Sequence, residues 1–158
     1  MIDMKRRAFL RASAAGTALA VAASAGLLRP TRVLAETWPA APFNAKKRDA
    51  ALKALFGTSS TTSSDAIQST ANLQAEDGSS VPVAVNTTLP NVDTFAILVH
   101  ENTHPLITDC RVGVSGAPYY RANIKMAKTS VVEFVVKAGG KLYTASQKIK
   151  VTAGGCGG

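Results

Sequence analysis

From Asp65 onward, apolar and polar side chains alternate in short runs separated by turn residues, the period-two pattern of half-buried strands. Seven such runs can be marked, at 66–73, 81–85, 94–100, 106–114, 120–126, 131–138 and 141–151. Their spacing predicts a mainly β domain, an antiparallel sandwich or barrel. The run Thr94-Phe95-Ala96-Ile97-Leu98-Val99-His100 is almost continuously apolar, which suits a central strand covered on both faces. Gly139-Gly140 between the last two runs is a two-residue hairpin signal. In the last run Leu142, Thr144, Ser146, Lys148 and Lys150 alternate with Tyr143, Ala145, Gln147, Ile149 and Val151, a ribbon that ends just before a glycine-rich tail.

Ahead of the strands the period changes. Trp38-Pro39-Ala40-Ala41-Pro42-Phe43 reads as a proline-broken, extended lead-in. Asn44 is placed to cap a helix over 45–56, and Gly57 is placed to stop it. Lys46-Lys47-Arg48 reads as the solvated face of that helix. Residues 58–64, all Thr or Ser after the glycine, form a polar link with nothing apolar to bury, expected to separate the helix from the sheet domain.

Composition alters this picture mainly through the first 35 residues. The 158-residue chain carries a formal charge of +8. However, Lys5-Arg6-Arg7-Ala8-Phe9-Leu10-Arg11 is a twin-arginine start, followed by an alanine-rich, mildly apolar run over 12–28 and a small-residue cleavage pattern at Val33-Leu34-Ala35. Arg6 and Arg7 are the expected export signal. Removing 1–35 leaves 123 residues, one domain, and takes away six of the 18 basic residues and one of the ten acids, so the mature charge is +3. The high pI belongs to the leader, which removes the main argument for nucleic-acid binding. The run 12–28 is short and weakly apolar for a permanent span, so no membrane attachment is expected after cleavage. The expected organisation is a signal peptide over 1–35, an extension and helix over 36–64, a β-domain over 65–151 and an arm over 152–158, all in the periplasm.

The chain has two cysteines. Cys110 shares one face of its run with Leu106, Thr108, Val112 and Val114, and is expected to be a small buried hydrophobe; a Cys110–Cys156 bridge remains an alternative. Cys156 stands in Gly154-Gly155-Cys156-Gly157-Gly158, where no neighbouring side chain could pack it. A thiol on such a flexible arm reads as a reactive group carried to other proteins' sites. A thiolate is a nucleophile and, once bonded to a second sulfur, a competent leaving group, so one cysteine can both take on and release sulfur species.

The terminal Gly154-Gly155-Cys156-Gly157-Gly158, together with Lys141-Leu142-Tyr143-Thr144-Ala145-Ser146, Ile149-Lys150-Val151-Thr152, Glu101-Asn102-Thr103-His104-Pro105-Leu106-Ile107 and Ile124-Lys125-Met126-Ala127-Lys128-Thr129-Ser130, resembles the SoxY family over essentially the whole mature chain. The resemblance implies an immunoglobulin-like β-sandwich and a sulfur carrier of the periplasmic thiosulfate-oxidising system. It also implies a SoxZ companion subunit, a SoxXA haem enzyme that couples thiosulfate to the thiol, a SoxB hydrolase that releases sulfate and a SoxCD sulfane dehydrogenase. Cys156 would be the covalent attachment site, with the flanking glycines giving flexibility and access to narrow partner channels. No cofactor beyond the adduct, no metal and no enzyme activity of its own are implied, because no nucleophile–base–acid set surrounds the thiol.

Three other readings compete. His100-Glu101-Asn102-Thr103-His104 matches a zinc-protease string, but that motif needs a helix, and Pro105 disfavours one. Gly157-Gly158 could carry a thiocarboxylate as ubiquitin-like carriers do, but that chemistry needs cytoplasmic ATP. An exported β-sandwich scaffold with an incidental thiol tail is the remaining alternative.

Overall fold

The computed structural model describes residues 38–113 and 116–153. Two short helices, α1 (Ala40–Asn44) and α2 (Arg48–Phe56), precede nine strands among the described residues: β1 (Thr62–Ser63), β2 (Ile67–Ala71), β3 (Gln74–Asp77), β4 (Val81–Thr87), β5 (Val92–Val99), β6 (Leu106–Arg111), β7 (Tyr119–Ile124), β8 (Ser130–Ala138) and β9 (Lys141–Ala153). One sheet runs β1-β9-β8-β5-β6 with β3 added on β9; the second runs β2-β4-β7. The mainly β sandwich with a helix ahead of it is as the sequence predicts.

The two faces of the larger sheet are buried differently. Phe95, Ile97 and Val99 of β5 and Val132, Phe134 and Val136 of β8 meet Ile67, Val81, Val83, Val85 and Ile124 of the second sheet, forming the main core. The alternate residues Ala96, Leu98, Val135 and Leu142 meet Ala51 and Leu52 of α2. Thr94 through Val99 are all buried, so β5 is the doubly covered strand its unbroken apolar run predicts. Gly139 and Gly140 take φ of 55° and 78°, the left-handed pair a tight hairpin needs, and close Ala138 on Lys141.

The helical region departs from expectation. Residues 40–44 are helical rather than extended, because Pro42 lies in the first turn, where its missing N–H leaves no bond unmade. Trp38 stacks on Phe43 at 4.8 Å between centroids. Asn44 does not cap α2: Ala45 is extended, and Lys47 holds the cap position without a side-chain bond. The stop is as predicted, with Gly57 at φ 81° donating to the Lys53 carbonyl.

The Ser/Thr link is likewise no spacer. Thr62 and Ser63 pair in parallel with Tyr143 and Thr144 of β9, and Ser64 N donates to the Thr144 carbonyl. Residues 74–77, which fall between the predicted runs 66–73 and 81–85, form β3, also parallel to β9, with Gln74 opposite Lys150 and Asp77 opposite Ala153. Two short parallel strands, β1 and β3, are thus added to one edge of the otherwise antiparallel sandwich.

Leu52 is fully buried between α2 and the sheet. Leu52→Ala should lower stability by about 2–5 kcal/mol, the usual range for a core leucine. Urea unfolding followed by far-UV circular dichroism checks this, and a loss below about 0.5 kcal/mol would mean α2 is not part of the cooperative unit.

Candidate functional site

The residues singled out as the carrier site, Cys156 with Gly154, Gly155, Gly157 and Gly158, lie outside the described residues, as do Arg6 and Arg7. The described residues do show the strand that leads to the thiol. The β8–β9 ladder ends at Ser130 opposite Ile149, yet β9 continues to Ala153. On one side of this projecting end, β3 pairs with Lys150, Val151 and Ala153, Lys150 N donates to the Leu73 carbonyl at 2.8 Å, and Thr152 Oγ1 donates to the Ala75 carbonyl at 3.3 Å. On the other side, Thr129 Oγ1 accepts from Val151 N at 3.0 Å and reaches the Val151 carbonyl at 3.4 Å. Two residues, Gly154 and Gly155, separate Cys156 from the last strand residue.

The same sheet holds a buried charge that the sequence reading missed. Glu133, in the middle of β8, is 3% exposed. Arg48, the first residue of α2, clasps it with two bonds, Nε to Oε2 at 3.0 Å and Nη2 to Oε1 at 2.7 Å. Thr144 Oγ1 donates to Oε1 at 2.9 Å, and His100 Nε2 lies 2.9 Å from Oε2. Arg48 also holds the link, through the Ser59 carbonyl and Thr61 Oγ1. Arg48 is thus no solvated helix residue, in contrast to exposed Lys46 and Lys47. A signal existed: Glu133 stands inside Val131-Val132-Glu133-Phe134-Val135-Val136, and a carboxylate in such a run has to find a cation.

Burial pushes the Glu133 carboxyl up, but the bonds from Arg48, His100 and Thr144 outweigh it and hold it down at about 2. The same pairing with Glu133 raises the Arg48 guanidinium above its ordinary value.

His100 and His104 lie in a turn rather than on a helix, and His100 is engaged by Glu133. Cys110 is half-buried, with Sγ 3.7 Å from the Arg111 carbonyl, and is not the buried hydrophobe expected. β6 is the outermost strand of its sheet, which leaves Cys110 only half covered although it faces the sandwich side. Leu106 pairs with Leu98 and joins the helix side, whereas Thr108 and Cys110 pair with Ile97 and Phe95 on the sandwich side, so the predicted common face is split by a bulge. A shallow cleft of about 480 Å³, walled by Leu89, Val92, Val112 and Pro118, lies at the β8–β9 hairpin end, away from the projecting end of β9. Among the described residues no helix is long and apolar enough to cross a membrane.

The folded state binds the ionised form of Glu133, so this interaction is fully present above the ordinary carboxyl value of 4.5 and is lost as pH falls from there toward about 2. Glu133→Gln should cost about 2–4 kcal/mol at neutral pH. It should also flatten the acid side of the stability curve between those two values. Chemical denaturation across pH tests both, and an unchanged acid slope would remove Glu133 as its source.

Comparison with known proteins gives a consistent result. The family described as Sulfur oxidation protein SoxY matches residues 52–156. The solved sulfur carrier protein SoxY from Chlorobium limicola f thiosulfatophilum is 38% identical, with a TM-score of 0.62, covering 69% of this chain and 95% of that one. Superoxide reductase (neelaredoxin) from Ignicoccus hospitalis is 14% identical with a TM-score of 0.49, covering 58% of this chain and 80% of that one. A comparison with curated protein sequences gives no match. The match reaching Cys156 and the solved relative together establish that the chain belongs to the SoxY family, the sulfur carriers of thiosulfate oxidation.

Proposed function

We propose that this sulfur carrier holds its cargo covalently on Cys156 and presents it to the enzymes of the pathway from the end of β9. One observation supports this above the others: the family match extends to residue 156, three residues beyond a strand end that is bonded on both sides. In the first step a sulfur–sulfur bond forms between the Cys156 thiolate and the outer sulfur of thiosulfate, and two electrons leave to a SoxXA-type haem enzyme. Water then cleaves the terminal sulfonate as sulfate in a SoxB-type hydrolase, leaving a persulfide on Cys156. A SoxCD-type dehydrogenase then oxidises the sulfane sulfur to a sulfonate, with three oxygens from water and six electrons passed to its acceptor, and a second hydrolysis releases sulfate and restores the Cys156 thiol.

The chain itself acts as a covalently modified substrate, not as an enzyme. A SoxZ-type companion completes the carrier, and both act in the periplasm after twin-arginine export directed by Arg6 and Arg7, with the leader removed. Glycines on both sides of Cys156 leave no side chain to obstruct a narrow partner channel. No cofactor beyond the adduct and no metal takes part.

Mass spectrometry of the C-terminal peptide, from protein purified out of thiosulfate-grown cells, tests the proposal. Sulfur-containing adducts should be confined to the Cys156 peptide, be released by reductant and be absent from Cys156→Ser. An unmodified thiol under every growth condition would favour an exported scaffold instead. Gly155→Val should leave the melting temperature unchanged while slowing loading by at least about tenfold, a barrier change of 1.4 kcal/mol. Equal loading rates would rule out a narrow channel.

A further inference from the structure

The last four residues of β9 hold a position that ordinary strand pairing does not explain. Lys150 to Ala153 project past the end of β8, where a strand normally frays. They are held by β3, a run of Gln74, Ala75, Glu76 and Asp77 that among the described residues pairs with no other strand and has little apolar surface of its own. A four-residue parallel strand of this composition is poorly self-supporting.

Its far end is fixed separately. Ser79 N and Oγ both donate to the Asp77 carboxylate, at 2.7 and 2.6 Å, and Met126 N donates to the Gly78 carbonyl. Met126 is buried, so this turn is tied to the core. Across β9, Thr129 takes over where β8 stops, with its hydroxyl serving both the N–H and the carbonyl of Val151.

Resting on the reading of Cys156 as the attachment site, we propose that Thr129 and β3 are positioning elements of the carrier: they move the pivot of the thiol from the end of the β8–β9 ladder out to Ala153. The consequence is a matter of chain length. From Ala153 the thiol-bearing residue is three residues away, at most about 11 Å. From Ile149, the last residue paired with β8, it would be seven residues away, at most about 25 Å. The clamp therefore confines the thiol to the Lys125, Lys128 and Lys150 end of the sandwich. Thr129 contacts neither cargo nor partner in this account and acts through the backbone of Val151.

The test uses the mature chain carrying Cys110→Ser, so that Cys156 is the one thiol. A maleimide–succinimide cross-linker with a spacer of about 10 Å is applied to dilute protein, and intramolecular links are identified by peptide mass spectrometry. Lys141 is the discriminating acceptor. It lies twelve strand residues from Ala153, about 40 Å, but eight from Ile149, about 26 Å.

With the clamp closed, the tether, the spacer and a lysine side chain together reach about 27 Å, so links should form to Lys125, Lys128 or Lys150 and none to Lys141. In Thr129→Val/Thr152→Val, links to Lys141 should appear and the Val151 amide should exchange about tenfold faster. Thr129→Ser, which keeps the hydroxyl, should restore the parent pattern. A parent protein that already links to Lys141, or a double variant whose exchange rises while its links stay unchanged, overturns the proposal. If the double variant loses protection across β8, the parent pattern alone decides. Because the readout is thiol reach rather than sulfur loading, its failure is separate from failure of the carrier chemistry, which the adduct measurement reports.

Discussion

A buried carboxylate in the middle of a sheet has to be paired or protonated, and much of the arrangement of this domain follows from how Glu133 is paired. Its neighbours in β8 are apolar on both faces, so the charge lies beneath α2 without direct access to water. Arg48 supplies the cation because its planar fork can bond both oxygens at once, which a lysine could not do. That requirement fixes where α2 begins on the sheet. The remaining donors of Arg48 then reach Ser59 and Thr61, drawing the Ser/Thr segment against β9, where β1 pairs with Tyr143 and Thr144. Thr144 itself returns a bond to Glu133. One charge thus ties the helix, the link, β8 and β9 into a single unit.

That unit makes β9 a suitable base for a carrier. Its first half is held by β8 on one side and β1 on the other, and its last residues by Thr129 and β3. Between them, Gln147 donates to the Ala71 carbonyl and accepts from Ser69, connecting the strand to β2 of the second sheet. A 13-residue strand supported along its length transmits position to its end, whereas a strand paired on one side only would bend or fray. The thiol itself needs none of this for its chemistry. What the fold provides is the place from which the thiol starts.

The parts of the molecule legible in the sequence are those in which local pattern and tertiary role coincide. The unbroken apolar run of β5, the Gly139-Gly140 turn and the Gly57 stop each carry their reason in adjacent residues. What escaped was decided by partners far along the chain. Residues 62–63 and 74–77 are too polar to read as strands and become strands because β9 presents free backbone groups to them. Alternation puts Leu106 and Cys110 on one face, but a register shift near Ile107 turns Leu106 to the helix side, and Cys110 is only half covered because β6 is the outermost strand of its sheet. Arg48 and Glu133 are 85 residues apart, and only the fold brings them together. The cysteine proposed as the attachment site shows the reverse: its signal lies in the sequence alone, in neighbours that have no side chains to pack against it.

A carrier has two opposed requirements, and the length of chain beyond the clamp sets the balance between them. For a thiol that serves several sites, as proposed here, entry favours a long tether, whereas frequent arrival at each site favours a short one. For a tethered group the effective concentration falls roughly as the −3/2 power of tether length once the span is covered. Lengthening the tether from three residues to seven would dilute the thiol about three- to fourfold at a site that both could reach. It would also let the thiol sweep back over its own sheet, where lysines and the half-buried Cys110 offer unproductive encounters. Projecting the strand end outward by four residues, at the expense of one hydroxyl and a short polar strand, extends the thiol toward its partners without lengthening the part that has to be searched. In the proposed carrier, reach comes from the supported strand and access from the glycines.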